Sequence, residues 1–322
     1  MGLGGTGTSQ RGRESVTPPK SYPSAEVKHG PGRLLFRSIF GAIGRSPEPL
    51  ARLISTLLNP LVSLPTRRPR STNLQLMFPG LTPSERAALD KRHQQYIALM
   101  RVHIARAAHF SGEEALRTAQ VNGQEHLQDA LKQKRGVLLV GGHVGTWWHC
   151  PGMLAVFGHP VSIVVNSDLF PPMLEHMHRL SDRYGFRIAY TKHDAYQQAK
   201  EAFARNEIFS VTMDFSIRPE RSIRLPFFGA SLPVDPGIAM LALRQRAVVL
   251  WVDCHHDAQG RSIVTLSPEP PLGRGTPLAS SEQLSRHWVG RLQRDLEAHP
   301  EQWWPMGFLF LDRPVQPEST SC

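Results

Sequence analysis

Residues Gly136–Thr146 read GVLLVGGHVGT and carry the clearest structural signal in the chain. Val137–Val140 is a short, wholly apolar run, and such a run next to glycines is typical of a strand buried on both faces. Gly141 and Gly142 then allow a sharp turn, and His143 follows them directly. In open α/β sheets, ligands bind beyond the carboxyl ends of the strands. The stretch therefore predicts a buried strand that ends at a candidate site.

Similar apolar runs alternate with segments of helical periodicity on the carboxyl side of this stretch. We predict strands at 137–140, 161–165, 186–190, 208–213, 247–252 and 263–266, with helices at 124–134, 171–184, 194–206, 236–246 and 281–298. Upstream, Thr82-Pro83-Ser84-Glu85 is a capping box that predicts a further helix start. Alternation of this kind indicates a mostly parallel sheet covered by helices. The predicted fold class is α/β: a single domain with a mostly parallel mixed sheet flanked by helices.

The amino-terminal part of the chain differs in composition from the rest. Residues 1–31 are rich in Gly, Ser, Thr and Pro and are predicted to be a disordered leader, and residues 313–322 a disordered tail. Residues 32–66 carry two apolar stripes at helical spacing, fringed by arginine, but no run of about 18 uncharged apolar residues that could span a bilayer. We predict amphipathic, membrane-associating helices at 32–66, followed by the α/β domain at 67–312. Packing of these stripes on the domain is the alternative.

Charge and cysteine usage narrow the possible partners. The net charge is +10, of which +8 lies before Ser71 among leucines, isoleucines and phenylalanines. This placement favours an anionic membrane surface over nucleic acid. The three cysteines, Cys150, Cys254 and Cys322, show no CxxC spacing, so we predict neither a disulfide framework nor a metal site and expect a reducing cytoplasmic setting. No signal peptide is visible.

We predict that His143 is the catalytic residue. A histidine at a strand end can take a proton from an attacking hydroxyl, while nearby backbone N–H groups hold a developing oxyanion. Gly145-Thr146 is predicted to begin a helix whose amino terminus favours negative charge. A structural histidine is an equal alternative on this pattern alone. The sequence contains no G-x-S-x-G, Walker A, H-E-x-x-H or strand-linked G-x-G-x-x-G motif.

Several short motifs, in a fixed order, make the chain resemble a known family from about Leu34 to Phe310. They are Arg67-Arg68, Asn73-Leu74-Gln75-Leu76-Met77-Phe78-Pro79, the Gly136–Gly145 stretch, Arg183-Tyr184-Gly185, Asp214, Pro226-Phe227-Phe228-Gly229, Pro233 and Pro300-Glu301-Gln302-Trp303-Trp304. The family is that of the late acyltransferases of bacterial lipid A synthesis, within the wider glycerolipid acyltransferase group.

The resemblance implies transfer of a fatty acyl chain from an acyl carrier protein or coenzyme A thioester, without a further cofactor. The acceptor would be a hydroxyl or amine of a glycolipid, a lipid or a specialised metabolite. The reaction would take place at the cytoplasmic face of the bacterial inner membrane. His143 matches the histidine of the family's H-x4-D/E motif. Arg183 matches an arginine near the acyl or acceptor phosphate site, and Asp214, Phe228 and Gly229 match positions that shape the pocket.

The chain departs from the family pattern at Trp148, which stands where the motif has its carboxylate. A carboxylate orients the imidazole, fixes its tautomer and stabilises the imidazolium. Three outcomes stay open: Asp214 or Asp168 supplies the acid in space, His143 acts alone on a reactive acceptor, or the chain binds lipid or acyl carrier protein without turnover. Trp147 and Trp148 are also candidates for lining a slot for a flat or hydrophobic acceptor, with core packing as the alternative. The basic residue that family members usually carry near Asn166 is also missing.

Overall fold

The computed structural model describes residues 31–169, 171–191, 193–216, 219–273, 275–308 and 311–313. The predicted leader, apart from Pro31, and the predicted tail, apart from Arg313, lie outside the described residues. The α-helices are α1 Pro31–Arg45, α2 Glu48–Val62, α3 Arg67–Met77, α4 Pro83–Ala107, α5 Gly112–Arg117, α6 Gln124–Lys132, α7 Cys150–Val156, α8 Pro171–Tyr184, α9 Ala195–Ala204, α10 Gly237–Gln245 and α11 Ser281–Ala298. Three 3₁₀ turns span Pro219–Arg221, Pro300–Gln302 and Trp304–Gly307.

Two sheets are formed by the strands. The strands are β1 Ala119–Asn122, β2 Val137–Gly141, β3 Val161–Val165, β4 Arg187–Tyr190, β5 Ile208–Thr212, β6 Ile223–Phe227, β7 Ala230–Val234, β8 Val248–His256 and β9 Ser262–Pro268. Seven of them form one sheet in the order β1-β9-β8-β2-β5-β3-β4, in which only the β8–β9 pair is antiparallel. β6 and β7 form a separate antiparallel hairpin. The described residues therefore confirm the predicted α/β class with a mostly parallel mixed sheet.

The central strand β2 is buried on both faces. Leu138 and Val140 pack into one apolar cluster, while Val137 and Leu139 pack into a second cluster on the other face of the sheet. Successive side chains of a strand point to opposite faces, so a strand that contributes to two cores must be apolar throughout. This double burial explains the uninterrupted apolar run from which the strand was predicted, and it fixes the position of the residues that follow.

The sequence prediction missed three strands and misplaced one helix start. β6 and β7 contain Pro226 and Pro233, which demote a strand in sequence-based prediction because proline cannot donate to a ladder. A two-stranded hairpin tolerates them because both of its strands are edges. β1 was also missed, as a short strand at the sheet edge. The prediction that Gly145-Thr146 begins a helix is wrong, because residues 144–149 form a bridge and turns and α7 begins at Cys150.

The two amino-terminal helices exist as predicted but bury different faces. In α1, Phe40 and Ile43 are buried, and Phe40 packs edge-on against His176 of α8. In α2, the buried face consists of Ala51, Ser55 and Asn59, which lie against α4. Packing on the domain, the alternative prediction, therefore describes the buried residues of α1. Most leucines of α2 are exposed instead.

Candidate active site

The geometry of the site follows from the pairing of β2 with β5. These strands are parallel neighbours, and Gly141 at the end of β2 is in register with Thr212 at the end of β5. The N–H of Met213 donates to the carbonyl of Gly141 at 2.9 Å. Carboxyl ends of adjacent parallel strands meet at one edge of the sheet, so the residues that follow each strand must face each other. His143 and Asp214 are thereby brought together.

His143 and Asp214 share three close hydrogen-bond contacts. Nδ1 of His143 lies 2.7 Å from Oδ1 of Asp214, and the backbone N–H of His143 donates to both carboxylate oxygens at 3.1 and 2.9 Å. The turn has no room for a side chain at position 142, since a Cβ on Gly142 would lie 2.4 Å from Cδ1 of Leu292 and 3.3 Å from Oδ2 of Asp214. A carboxylate, which the resemblance led us to expect at position 148, is therefore present beside His143 at the end of the neighbouring strand.

Asp214 is fully buried, and its protonation state decides the tautomer of His143. Burial raises the pKa of Asp214, but the charge of His143 and hydrogen bonds from His143 and Trp303 outweigh this effect and hold the pKa below its ordinary value. Asp214 is therefore an ionised carboxylate at neutral pH, and an ionised carboxylate only accepts hydrogen bonds. Nδ1 of His143 must therefore carry a proton, and in the neutral tautomer that this fixes, Nε2 is the unprotonated nitrogen. Nε2 lies 3.1 Å from Oγ1 of Thr212.

The segment around Trp303 forms further hydrogen bonds with His143 and Asp214. Nε1 of Trp303, a fully buried side chain, donates to Oδ2 of Asp214 at 2.8 Å. Two backbone hydrogen bonds also connect the two segments. The N–H of Trp304 donates to the carbonyl of His143 at 2.9 Å, and the N–H of Gly145 donates to the carbonyl of Gln302 at 3.0 Å. The N–H groups of His143 and Gly145 are thus already engaged, so the predicted oxyanion site at this turn cannot use them without breaking these bonds.

Aromatic rings surround the imidazole of His143. Ring centroids of Trp147, Trp304 and Phe215 lie 5.2, 5.4 and 6.2 Å from that of His143. The side chain of His143 is only 17% exposed. The rings leave the Nε2 edge facing Thr212 and a pocket.

A pocket of about 500 Å³ adjoins this edge, between the sheet and helices α9 and α10. Most of its wall is apolar, and its polar lining residues include Asn166, His193, Arg221 and Asp235. The lining residues are His143, Val164, Asn166, Thr191, His193, Ala195, Tyr196, Phe209, Val211, Thr212, Phe215, Ser216, Arg221, Asp235, Pro236, Gly237, Ile238, Met240 and Leu241. A predominantly apolar cleft of this size with a few convergent polar groups is typical of a small-molecule site.

Two further candidates from the sequence are Trp148, as an acceptor-binding residue, and Asp168, as an acid. Trp148 is 8% exposed, stacks on His149 with centroids 4.9 Å apart and belongs to the core cluster, so its predicted role in lining an acceptor slot is not supported by its position. Asp168 lies in the turn after β3, where its N–H donates to Oδ1 of Asn166. The acid that contacts Nδ1 of His143 is Asp214. Trp147 does lie at the site, against His143 and Trp304.

The remaining predicted substrate-binding residues serve the scaffold. Nη2 of Arg183 donates to the carbonyl of His109 at 3.0 Å and Nε to that of Phe110, just beyond the end of α4. Phe228 has a left-handed φ of 50° and packs on Phe78 with ring centroids 5.0 Å apart. A Cβ on Gly229 would lie 2.6 Å from a backbone oxygen of the Asn73–Pro79 segment. None of the three is among the pocket-lining residues in the described part of the chain.

Thr212 and Trp303 are the site residues whose roles the sequence did not reveal. Thr212 is the last residue of β5 and the last but one of the predicted strand 208–213. α/β proteins place ligands at this end of a strand, so this signal could have indicated Thr212. Trp303 belongs to the carboxy-terminal motif of the family resemblance, but its contact with Asp214 depends on the tertiary fold. In the described residues, no group of three or more His, Cys, Asp or Glu side chains is arranged to hold a metal ion.

The α/β fold, with a buried histidine–carboxylate pair at the mouth of an apolar pocket, fits an enzyme that activates a hydroxyl or amine next to a hydrophobic substrate. The sequence profile of the family described as "Bacterial lipid A biosynthesis acyltransferase" matches residues 35–310. The chain belongs to this family and is an acyltransferase. The resemblance inferred from the motifs is thereby confirmed.

Two individual proteins are similar to the chain. The lipid A biosynthesis lauroyltransferase of Escherichia coli (strain K12) is 23% identical over 248 residues, which cover 75% of this chain and 78% of the relative. The crystal structure of the 1-acyl-sn-glycerophosphate acyltransferase from Thermotoga maritima matches 79% of this chain and 98% of its own chain, at 15% identity and a TM-score of 0.37.

Proposed function

We propose that the protein transfers a fatty acyl chain from an acyl carrier protein or coenzyme A thioester to a hydroxyl or amine of a lipid, with His143 as general base and Asp214 as its partner acid. The observation that carries the proposal is the 2.7 Å contact between Nδ1 of His143 and Oδ1 of Asp214. Activation of a hydroxyl needs a base with a free nitrogen, held in one tautomer, and the pair supplies both.

The proton movements follow from this arrangement. Nε2 of His143 takes the proton from the nucleophilic hydroxyl or amine as it attacks the thioester carbonyl. The imidazolium that forms is stabilised by ionised Asp214, whose low pKa keeps it charged. The proton then passes from Nε2 to the departing thiolate, which restores the neutral imidazole. The alternative of a family member that binds without turnover was motivated by the loss of the partner acid at Trp148, and the position of Asp214 removes that motive.

The pocket is suited to the hydrocarbon chain of the donor or acceptor. Val164, Phe209, Val211, Ile238 and Leu241 provide an apolar wall next to Nε2. Burial of methylene groups against such a wall contributes about 0.8 kcal/mol each. At the mouth, Arg221 offers a cation for a phosphate or a developing negative charge.

We also propose that α1 and α2 lie on the membrane, at the cytoplasmic face of the bacterial inner membrane. The face of α2 that packs on α4 is small and polar: Ser55 Oγ donates to the carbonyl of Ala98 at 2.9 Å, and Asn59 Nδ2 donates to that of Gln94 at 3.1 Å. Most leucines of α2 instead point away from the domain, and the exposed leucines of α1 and α2 are Leu34, Leu35, Leu50, Leu53, Leu57 and Leu61.

α2 thus turns its polar face to the domain and its leucines outward. This arrangement favours a lipid surface over solvent as the environment of α2. A helix that meets water normally turns its polar face outward. Exposed arginines nearby, at Arg67 and Arg68 in α3, would add attraction to anionic headgroups. Among the described helices, none is both long and apolar enough to cross a bilayer. Interfacial attachment is therefore the mode that we propose.

An acyl-transfer assay tests the proposed function. Full-length protein is incubated with dodecanoyl-coenzyme A or dodecanoyl acyl carrier protein and a bacterial lipid extract, and acylated products are followed by mass spectrometry. We expect transfer by the wild type and a loss of at least a hundredfold in His143→Ala. The matched control is His255→Ala, which removes a half-buried histidine that contacts Asp253 at 3.2 Å outside the site. Absence of any acylated product, or equal rates in His143→Ala and wild type, would contradict the proposal.

A further inference from the structure

Asp214 accepts hydrogen bonds from two parts of the chain, the turn that contains His143 and the segment that contains Trp303. Oδ1 of Asp214 lies 2.7 Å from Nδ1 of His143, and the backbone N–H of His143 donates to Oδ1 at 3.1 Å and to Oδ2 at 2.9 Å. Nε1 of Trp303 donates to Oδ2 at 2.8 Å. Among the donors in the described residues, only Trp303 can hold this carboxylate independently of His143.

The indole N–H fixes the rotation of the carboxylate. The two oxygens of a carboxylate offer about four lone-pair sites, and Asp214 is fully buried, so solvent does not reach a site that loses its donor. Without the indole N–H, Oδ2 would keep only the backbone N–H that it shares with Oδ1. The carboxylate could then turn about its Cβ–Cγ bond and move Oδ1 out of line with Nδ1 of His143. The bond from Trp303 also lowers the pKa of Asp214, so its loss would make the carboxylate compete more strongly for the Nδ1 proton.

Trp303 is itself held at its backbone and at its ring. Its backbone forms an antiparallel β-bridge with Val144, and its fully buried ring packs on Phe227 with centroids 5.1 Å apart. The preceding residue is anchored as well. The side-chain amide of Gln302 accepts from the N–H of His256 at 2.7 Å and donates to the carbonyl of His256 at 3.0 Å. An indole that is fixed in this way is a rigid support for the carboxylate.

Two other buried tryptophans of the same apolar cluster offer a comparison. Nε1 of Trp251 donates to Oδ2 of Asp295 at 2.6 Å, and neither of these residues lines the pocket. Nε1 of Trp288 has no hydrogen-bond partner in the described residues. Trp251, Trp288 and Trp303 are all at most 1% exposed. The three indoles therefore differ in the partner of the N–H: a carboxylate of the site, a carboxylate elsewhere, or none.

We infer that Trp303 is a positioning residue, whose indole N–H holds the carboxylate of Asp214 in the orientation in which Oδ1 faces Nδ1 of His143. The inference rests on the proposed acyltransferase function, in which His143 is the base. Trp303 acts through Asp214, because it is not among the residues of the described chain that line the pocket. Loss of its N–H should therefore slow the chemical step and leave the binding of substrates unchanged.

Replacement of Trp303 by benzothienylalanine tests the inference, because sulfur takes the place of the indole N–H while the size of the ring is kept. The analogue is placed in the full-length chain at Trp303, Trp251 or Trp288, and each protein is assayed with dodecanoyl-coenzyme A and lipid extract. For the Trp303 analogue we expect kcat to fall about 10- to 100-fold with KM unchanged, since a hydrogen bond to a charged group contributes a free energy of this size. The Trp251 and Trp288 analogues should keep the wild-type kcat.

Thermal unfolding of the same proteins separates positioning from stability. The Trp303 and Trp251 analogues each lose a bond to a carboxylate, so both should melt at a lower temperature than the wild type, whereas the Trp288 analogue should not. A loss of kcat confined to the Trp303 analogue is then not a consequence of reduced stability.

The proton on Nδ1 of His143 gives a readout that does not depend on turnover. Its NMR signal in protein with isotope-labelled histidine, assigned by its absence in His143→Ala, should shift in the Trp303 analogue and stay in place in the other two. Wild-type kcat or an unmoved Nδ1–H signal in the Trp303 analogue overturns the inference and leaves the proposed function standing. Equal losses of kcat in the Trp303 and Trp251 analogues overturn it as well. Failure of the wild type to transfer acyl groups overturns the proposed function and the inference with it.

Discussion

Oδ1 of Asp214 lies 2.7 Å from Nδ1 of His143, although 71 residues separate the two in sequence. The family resemblance led us to expect a carboxylate five residues after the histidine, where this chain has Trp148, and the contact with Asp214 supplies a carboxylate from elsewhere in the chain. The parallel pairing of β2 and β5 makes this contact possible, because it brings the two strand ends to the same edge of the sheet. The strand order therefore supplies the partner of the proposed base.

Asp214→Asn should lower kcat for acyl transfer by about 10² to 10⁴-fold with little change in KM. The amide can still contact Nδ1, but it cannot stabilise the imidazolium and it permits the wrong tautomer, as the corresponding change does in serine proteases. Steady-state kinetics on the folded variant measure the effect. Asp168→Asn, the other acid considered from sequence, should keep the wild-type rate. The opposite ranking of the two variants would assign the acid to Asp168.

Trp148→Glu restores the family's sequence motif, but we expect it to lower stability without raising the rate. The side chain at 148 is buried in the core and stacked on His149, so a carboxylate there would be desolvated without a cation. Burial of an unpaired charge costs several kcal/mol after relaxation. Thermal unfolding and transfer rates of Trp148→Glu and of the apolar control Trp148→Phe distinguish the effects. A faster Trp148→Glu enzyme would show that Asp214 is an incomplete substitute.

His143 and Asp214 show how much of the site can be predicted from the sequence. The Gly-Gly-His turn was predicted because its signal is local: an apolar run, two glycines and a histidine. Asp214 could be proposed only as one of two acids, because its contact with His143 depends on which strands are neighbours, and strand order cannot be derived from local periodicity. Arg183 and Gly229 were assigned to substrate from the resemblance, whereas their contacts lie with the ends of α4 and with the Asn73–Pro79 segment.

For the amino-terminal helices, too, the sequence predicted the elements but not their tertiary contacts. Helical spacing predicted α1 and α2 correctly, but spacing does not say which face meets the domain. Ala51 and Ser55 face α4 because small side chains allow close approach and the hydroxyl finds a carbonyl acceptor there. The hairpin of β6 and β7 was missed for a different reason, since its prolines are tolerated only where a strand has a free edge.

Leu53→Glu combined with Leu57→Glu should weaken binding to anionic lipid vesicles by at least about tenfold, because two exposed leucines leave the apolar surface and two negative charges meet the headgroups. Vesicle co-sedimentation measures the loss, and the melting temperature should stay unchanged since neither leucine is buried. Gln128→Glu with Gln133→Glu adds the same charge at exposed positions on and just after α6. Equal binding by both double variants would argue against the α2 surface.

Stability should fall as the pH drops from about 6.5 to about 4. Burial lowers the pKa of several histidines, so they stay neutral in the folded protein while the unfolded chain takes up protons near pH 6.5. Their contribution is complete above pH 6.5 and is lost as the pH falls toward the folded pKa, at about 1.4 kcal/mol per pH unit for each histidine. The folded pKa is about 4 for His93, His103 and His176 and about 3 for His149 and His256.

Urea unfolding at pH 7.5, 6 and 5 measures this dependence. Asp214 does not produce it, because a lowered carboxyl pKa gives stability that is lost only below about pH 4. Two groups act in the opposite direction: the pKa of His255 is raised mainly by its hydrogen bond with Asp253, and burial raises the pKa of Asp295 to about 6. They are outnumbered by the five buried histidines. A free energy of unfolding that stayed constant or rose between pH 7.5 and 5 would mean that these histidines are not neutral in the folded state.

A double-mutant cycle on transfer rate tests most directly whether His143 and Asp214 act as one catalytic unit. kcat/KM is measured for the wild type, His143→Ala, Asp214→Asn and the combined variant. Residues that work as a unit give strongly non-additive losses. Our prediction is that the combined variant is no slower than His143→Ala alone. Losses that multiply in the combined variant, or an Asp214→Asn enzyme at the wild-type rate, would contradict it.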